Sequence, residues 1–180
     1  AAKSCNAGIH VHLAETLDEQ RQIAEGYGKT PTEYLNDLGV FELPTLAAHS
    51  VYLNDTDIEI LKAHNVGIAH NPTSNLKLAS GIANIPKYLQ AGLNVGLGTD
   101  GCSSNNTLNM FKEMAICSFV QKVNAMNPTV LPAEEILNMA TIGGAKVLRW
   151  DDEIGTLEVG KKADLILVDI DKPHFAPWNN

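Results

Sequence analysis

This sequence predicts an α/β fold built on a parallel sheet. Three observations carry the prediction: short apolar segments (GIHVHL, TLAAH, VGIAH and LNVGLG), helical stretches between them, and a polar residue closing each segment. Alternating strand and helix makes βα units, and short connections from helix to strand favour a continuous barrel wall over separate domains. In such a barrel the catalytic groups stand at the C-terminal strand ends, where the βα loops begin. His12 and Glu15 in IHVHLAE, His49 in TLAAHS, His70 in VGIAHNP and Asp100 in NVGLGTD all stand at such ends, which is the pattern of an enzyme.

The elements follow in order. Residues 8–13 form the first strand, and the Thr16-x-x-Glu19 spacing marks a capping box that opens a helix running through Ile23. Residues 45–49 form the second strand. A helix spans 54–64, with Asn54 as N-cap, Asp57 three residues on, Ile58 and Leu61 on one face, and Asn65 followed by Gly67 to end it. Residues 66–70 form the third strand, a shorter helix at 84–91 closes at Gly92, and residues 93–98 form the fourth strand. After Asp100 a Ser/Asn loop leads to a helix over 108–123, whose Leu108, Phe111, Met114 or Ala115, and Ile116 fit one buried stripe. Residues 131–148 read as a helix with Pro132 near its first turn and Ile136, Leu137, Ala140 and Val147 available for burial; Gly143 and Gly144 weaken its second half. The texture changes after Trp150: Gly155 and Gly160 punctuate a turn, and Asp164 to Asp169 carries an apolar strand. The organisation expected is therefore a barrel portion at 1–150 and, at 151–180, the start of an antiparallel element in another layer.

Composition excludes more than it identifies. At 180 residues, 44% hydrophobic and 19% charged, the chain is long enough for one core. A net charge of −8, without clustered Lys and Arg, argues against a nucleic-acid surface. No apolar run approaches the roughly 18 residues of a bilayer span, and the N-terminus lacks the pattern of a signal peptide. Cys5, Cys102 and Cys117 are odd in number and lack metal-ligand spacing, so a cytoplasmic protein is expected.

Two readings exist for most of the polar residues. His10 and His12 share a strand face, and could both touch one metal or be hydrogen-bonded core histidines. Glu15 can swing toward whatever His12 holds, or serve as a helix-start carboxylate. His49 and Asp100 close apolar or glycine-rich segments, where an ionisable group is costly unless hydrogen-bonded, charged for a purpose or ligated. Asp100 could alternatively cap the following loop or helix. His64 reads as a solvent-facing helix end near the negative dipole, and His174 as a tail residue without a role.

The segments IHVHLAET, LAAHSVYLND, GIAHNPTSNLKLASGIA, GLGTDGCSSNNTLNMFKEM and GTLEVGKKADLILVD resemble the amidohydrolase superfamily. They are most similar to its 5′-methylthioadenosine/S-adenosylhomocysteine deaminase and chlorohydrolase-like branch. The similarity covers nearly the whole chain in order; HxxE alone would be weak, whereas HNPxSNLKL followed by GTDGxxSNN is specific. The resemblance implies a (β/α)8 barrel with a small β-sandwich, and assigns these strands to positions five to eight. It also implies one divalent ion, zinc or alternatively iron, held by His12 and Asp100. Glu15 then hydrogen-bonds the heterocycle and shuttles a proton, His49 stands beside the attacking water, and Ser104 occupies a loop position near substrate or merely caps a turn. His10 is no ligand in that pattern.

The implied reaction is hydrolytic deamination of an adenine nucleoside such as S-adenosylhomocysteine or 5′-methylthioadenosine, a small-molecule substrate. The alternatives are a chlorohydrolase or a triazine, pyrimidine or guanine deaminase of the same superfamily, and a catalytically silent barrel segment. The family's first barrel strand carries a His-x-His pair of ligands that this chain does not contain. Part of a barrel also leaves sheet edges unpaired, which invites self-association.

Overall fold

The computed structural model describes residues 2–173 and 176. His174 lies outside the described residues.

The four apolar segments become β1 (Ile9–Leu13), β2 (Thr45–His49), β3 (Gly67–His70) and β4 (Val95–Leu97). They form one parallel sheet in the order β1-β2-β3-β4, so every strand pairs with its neighbour in sequence. Helices fill the crossovers, as parallel pairing requires. They are α1 (Leu17–Tyr27), α2 (Pro31–Asp37), α3 (Asp55–Ala63), α4 (Pro72–Lys77) and α5 (Ile85–Ala91). Beyond β4 come α6 (Cys102–Asn105) and α7 (Met110–Asn124). They are followed by α8 (Ala133–Asn138), a π-helical stretch at Met139–Gly143, and α9 (Gly144–Leu148).

Local chemistry accounts for most boundaries. Asn54 caps α3 through a reciprocal box with Asp57, and Ile58 and Leu61 are buried on the face turned to the core, each contributing about 1.5–3 kcal/mol. At α5, Asn84 caps the start and Gly92, at φ 87°, closes the end. A second full capping box, Thr30 with Glu33, opens α2, a helix the sequence reading had not placed. The box expected at Thr16 is only half formed. Thr16 accepts from the Glu19 N–H, but the Glu19 carboxylate accepts instead from the N–H groups of Ala14 and Glu15, both at 2.8 Å. Its reach goes to the bend before the helix, because Ala14 turns there at φ 51°.

Register divides the sheet into two unlike faces. Val11, Ala47, Ile68 and Val95 lie in one row. Ala47, Ile68 and Val95 from this row join Leu13, Ile58, Leu61, Ile85, Tyr88 and Met139 in the core. The adjacent row, which faces the other way, is His12, Ala48, Ala69 and Gly96. Small residues there let a helix backbone come close: a Cβ on Gly96 would stand 2.8 Å from Gly144 Cα, and one on Gly67 2.9 Å from Val147 Cα.

Three expectations require correction. The helix over 108–123 begins at Met110, and the stripe it buries is Glu113, Cys117 and Gln121, whereas Leu108 and Phe111 are exposed. Polar groups take that face because loops with open backbone donors and acceptors lie against it: Gln121 donates to the Ala83 carbonyl and accepts from the Ile85 N–H. The helix over 131–148 is not continuous. Its glycine pair falls at the junction of the π-helical stretch and α9, where Gly143 sits so tightly that a Cβ would lie 2.7 Å from the Val95 carbonyl oxygen. Of the four residues offered for burial, Ile136 and Val147 are buried, Ala140 is half-buried and Leu137 exposed. Finally, residues 164–169 form no strand among the described residues, since an extended segment without a hydrogen-bonding neighbour is no ladder.

Candidate active site at the strand ends

The polar residues that close the strands converge. The ligand atoms of His12, His49 and Asp100 all lie within 4.8 Å of one another, and the two imidazoles stack with centroids 5.2 Å apart. Glu15 joins them, its Oε2 3.8 Å from His49 Nε2. His10, two residues earlier on β1, lies apart from this group beside Pro44, Leu46 and Arg149. His64 caps the end of α3, half-buried, with its ring 6.1 Å from that of Phe41.

The backbone bends sharply where these groups emerge. Ala14, His49, Ser50 and Asp100 all have positive φ, from 48° to 71°, a region costly for residues with a Cβ. Such strain, about 1–3 kcal/mol per residue, persists only where surrounding structure over-determines it. Here adjacent strand ends hold one another: Ser50 N–H donates to the Leu13 carbonyl at 2.9 Å, and Val51 and Tyr52 N–H both donate to the Ala14 carbonyl at 3.0 Å. At the far side Gly98 N–H donates to the His70 carbonyl at 2.8 Å, and Gly98 has no room for a Cβ because the Asn71 side chain occupies that space.

Each of these strand-end groups is held by polar partners. Ser74 Oγ donates to Asp100 Oδ2 at 2.6 Å, and Ser104 Oγ donates to the same oxygen at 2.8 Å. Burial alone would raise the Asp100 carboxyl, but these two hydroxyls, the Gly101 N–H and nearby His49 together bring it below the ordinary carboxylate value. His49 is 1% exposed, and its Nδ1 meets Asn75 Oδ1 at 2.7 Å. Ser80 Oγ donates to Glu15 Oε1 at 3.0 Å, and the Ser80 carbonyl accepts from the Tyr52 hydroxyl at 2.6 Å. Behind these groups Glu113, wholly buried, accepts from the Thr73 N–H and from Asn105 Nδ2, while Asn105 also donates to the Thr99 carbonyl. His70 stays out of the cluster: both ring nitrogens are buried without a partner among the described residues.

Sequence reasoning did not single out Ser74, Asn75, Ser80, Asn105 or Glu113. A signal was present in HNPTSN, a run of polar residues at the end of an apolar strand. What it lacked was any indication that the run is buried, which only the packing supplies.

Comparison with known proteins identifies the family. The profile of the amidohydrolase family matches residues 1–180. A 5-methylthioadenosine/S-adenosylhomocysteine deaminase of Caldanaerobacter subterraneus subsp. tengcongensis is 54% identical over 99% of the chain and 41% of its own length. Among solved structures, a zinc-bound adenosine deaminase from Xanthomonas campestris superposes with a TM-score of 0.93 at 37% identity, over 99% of this chain and 41% of that one. A zinc complex of an atrazine chlorohydrolase from Arthrobacter aurescens gives 0.89 at 30% identity, over 99% and 40%. The chain thus spans about two fifths of the length of the proteins it matches. With the parallel sheet, the ordered strand-end residues and a profile match along its whole length, the chain belongs to the amidohydrolase family.

Proposed function

We propose that this chain is the part of a metal-dependent deaminase that supplies strands five to eight of a (β/α)8 barrel, as β1 to β4, with residues 151–180 opening a C-terminal β-sandwich. The observation that carries the reading is the convergence of His12, His49 and Asp100 ligand atoms within 4.8 Å, with Glu15 alongside. Two imidazoles and a carboxylate are a donor set suited to zinc, so His12 and Asp100 would hold a divalent ion there. When bound, such an ion lowers the pKa of water to roughly 7 and makes hydroxide available at neutral pH.

The chain's own residues divide the remaining work. Asp100 takes the proton of the attacking water, and its hydroxyl partners keep one oxygen oriented for that transfer. Glu15 delivers a proton to the ring nitrogen beside the attacked carbon, so that negative charge does not build up on the heterocycle. His49 hydrogen-bonds the incoming oxygen. Asp100 then passes its proton to the amino group, which leaves as ammonia, while the new hydroxyl gives its proton back to Glu15 as the carbon becomes a carbonyl. Ser104 stands on the first turn after the Asp100 loop, where a hydroxyl can meet substrate once it releases the carboxylate.

The substrate proposed is an adenine nucleoside with a 5′-thioether, such as S-adenosylhomocysteine or 5′-methylthioadenosine. This rests on the name carried by a relative 54% identical to the chain. The chlorohydrolase reading has the support of a structural neighbour at lower identity. The whole-length protein should be assayed for ammonia release from adenine thioethers, guanine and cytosine, and for chloride release from chlorotriazines. Turnover of the adenine thioethers is expected, and activity on chlorotriazines alone would overturn the choice.

This chain expressed alone should release no ammonia: its own His-x-His, His10 and His12, puts only His12 in the site, and the separate first-strand His-x-His pair expected of the family is not among its residues. It should also self-associate through β1 and β4, the two edges of its sheet. A monomer with stoichiometric zinc and deaminase activity would contradict both statements.

A further inference from the structure

The stretch from Ser74 to Ser80 touches three of the reacting groups, one hydrogen bond to each. Ser74 reaches Asp100, Asn75 reaches His49 and Ser80 reaches Glu15. The three groups otherwise come from three separate strand ends, 34 or more residues apart in the chain, and no other short segment among the described residues contacts all of them. These partners are buried as thoroughly as core residues: Ser74 is 0%, Asn75 1% and Ser80 5% exposed. Polar side chains are seldom hidden so completely, and here the burial is matched by bonds to the site.

We propose that Ser74, Asn75 and Ser80 are positioning residues that set, from one short stretch of chain, the orientation of Asp100, the tautomer of His49 and the reach of Glu15. The proposal rests on the catalytic reading of those three groups. Asn75 carries its sharpest part. With the amide oxygen facing the ring at 2.7 Å, a neutral His49 carries its N–H at Nδ1 and its lone pair on Nε2. Nε2 is the nitrogen 3.8 Å from Glu15, so the side that must accept from an incoming oxygen's proton is the side left free to do so.

The stretch is itself fixed from outside the site. Glu113 accepts from the Thr73 N–H at the start of α4, Lys77 Nζ donates to the Ser103 carbonyl, and the Tyr52 hydroxyl holds the Ser80 carbonyl. Three anchors thus stop the α4 stretch from drifting with respect to the segment after β2, α6 and α7.

The test uses the whole-length protein and Asn75→Leu, which keeps volume but removes the acceptor, with Asn75→Asp to restore one. Asn75→Leu should lower kcat about 10- to 100-fold with KM within about twofold, and Asn75→Asp should recover most of the loss. In the zinc-free protein, ring nitrogen NMR should show His49 as the Nδ1–H tautomer in wild type and Asn75→Asp, and a mixture in Asn75→Leu. Ser74→Ala should weaken zinc binding about 10-fold in a competition titration. An unchanged His49 spectrum in a folded Asn75→Leu, or Asn75→Leu and Ser74→Ala both at wild-type kcat and zinc affinity, would overturn the proposal. Should Asn75→Leu fail to fold, the wild-type spectrum decides: an Nε2–H tautomer refutes the assignment. The spectra and the zinc titration need no substrate, so failure of the deaminase reading would show separately, as absent turnover by wild type.

Discussion

At the C-terminal rim of the sheet His49, Ser74, Asn75, Asn105 and Glu113 are polar groups hidden from water, whereas after Trp150 Leu157, Val159, Ile166 and Leu167 are apolar groups left in it. Each region contradicts the simple rule of apolar inside and polar outside. The rim does so because its polar atoms find partners at defined geometry, such as Ser74 on Asp100 and Asn105 on Glu113, each bond replacing water that burial removes. The tail does so because Leu157, Val159, Ile166 and Leu167, at 80, 108, 76 and 93% exposure, meet no packing surface among the described residues. Hydrogen bonds between strand-end groups, rather than polarity, separate a rim held in one arrangement from a tail that has no helix or strand among the described residues.

The largest expected effect breaks the rim at its reacting group. Asp100→Asn in the whole-length protein removes the proposed proton acceptor while keeping an oxygen for Ser74 and Ser104, so the fold should survive and kcat should fall about 10³- to 10⁴-fold. Steady-state ammonia release beside a urea unfolding curve measures both. A wild-type rate would remove Asp100 from the mechanism.

A second effect uses acid to separate the two regions. Burial, with a smaller contribution from His49, pushes His70 down to about 3 from its ordinary 6.5. The unfolded chain takes up a proton as pH drops below 6.5, whereas the folded chain does not until near 3. His70 therefore contributes stability that is whole above the upper value and drains away toward the lower one, by at most about 1.4 kcal/mol per pH unit. His70→Phe fills the same space without titrating and should flatten that part of the slope, read as urea midpoints at pH 7, 5.5 and 4.5. Equal slopes in both proteins would mean that His70 protonates freely in the fold. Among its described residues the tail carries no such buried group, and substitutions there should leave the slope untouched.

How much of this was legible in the sequence follows the same line. The strands were legible because short apolar runs bounded by turn residues have one common solution, and β2 falls on the segment read for it, residues 45–49. The α3 cap was legible because Asn54 and Asp57 interact within one turn. Which polar residues gather was suggested by the strand-end pattern and by the resemblance. The α7 stripe was misread because periodicity counts apolar residues alone, while the buried face there is Glu113, Cys117 and Gln121. The left-handed turns at His49 and Asp100 were invisible, since nothing local favours them and only neighbouring strand ends impose them. The segment at 164–169 has the continuous apolar run of a buried strand, but a strand is a property of two segments.

A smaller effect probes a cap away from both regions. Asn54→Ala removes the acceptor for the Asp57 N–H but keeps the backbone N–H at position 54 that the Asp57 carboxylate accepts from, which should cost about 1 kcal/mol of stability with kcat unchanged. A loss of activity without loss of stability would tie α3 to the site in a way the hydrogen bonds do not show.

The smallest effect belongs to the tail, and it tests the comparison most directly. Leu167 is 93% exposed, so Leu167→Lys in this chain exchanges one solvated side chain for another and should alter stability by less than about 0.5 kcal/mol. The same substitution in the whole-length protein has a different expectation if residues 164–169 pair there as a strand of the proposed β-sandwich. Leu167 would then be covered on one face, and the lysine should cost about 1.5–3 kcal/mol. Unfolding curves of the two variants against their parents measure the difference. A large loss in the chain alone would show that the tail already has a packing partner and would erase the contrast with the rim. A negligible change in both proteins would show that this side chain stays in water throughout, and would remove Leu167 from any sandwich core.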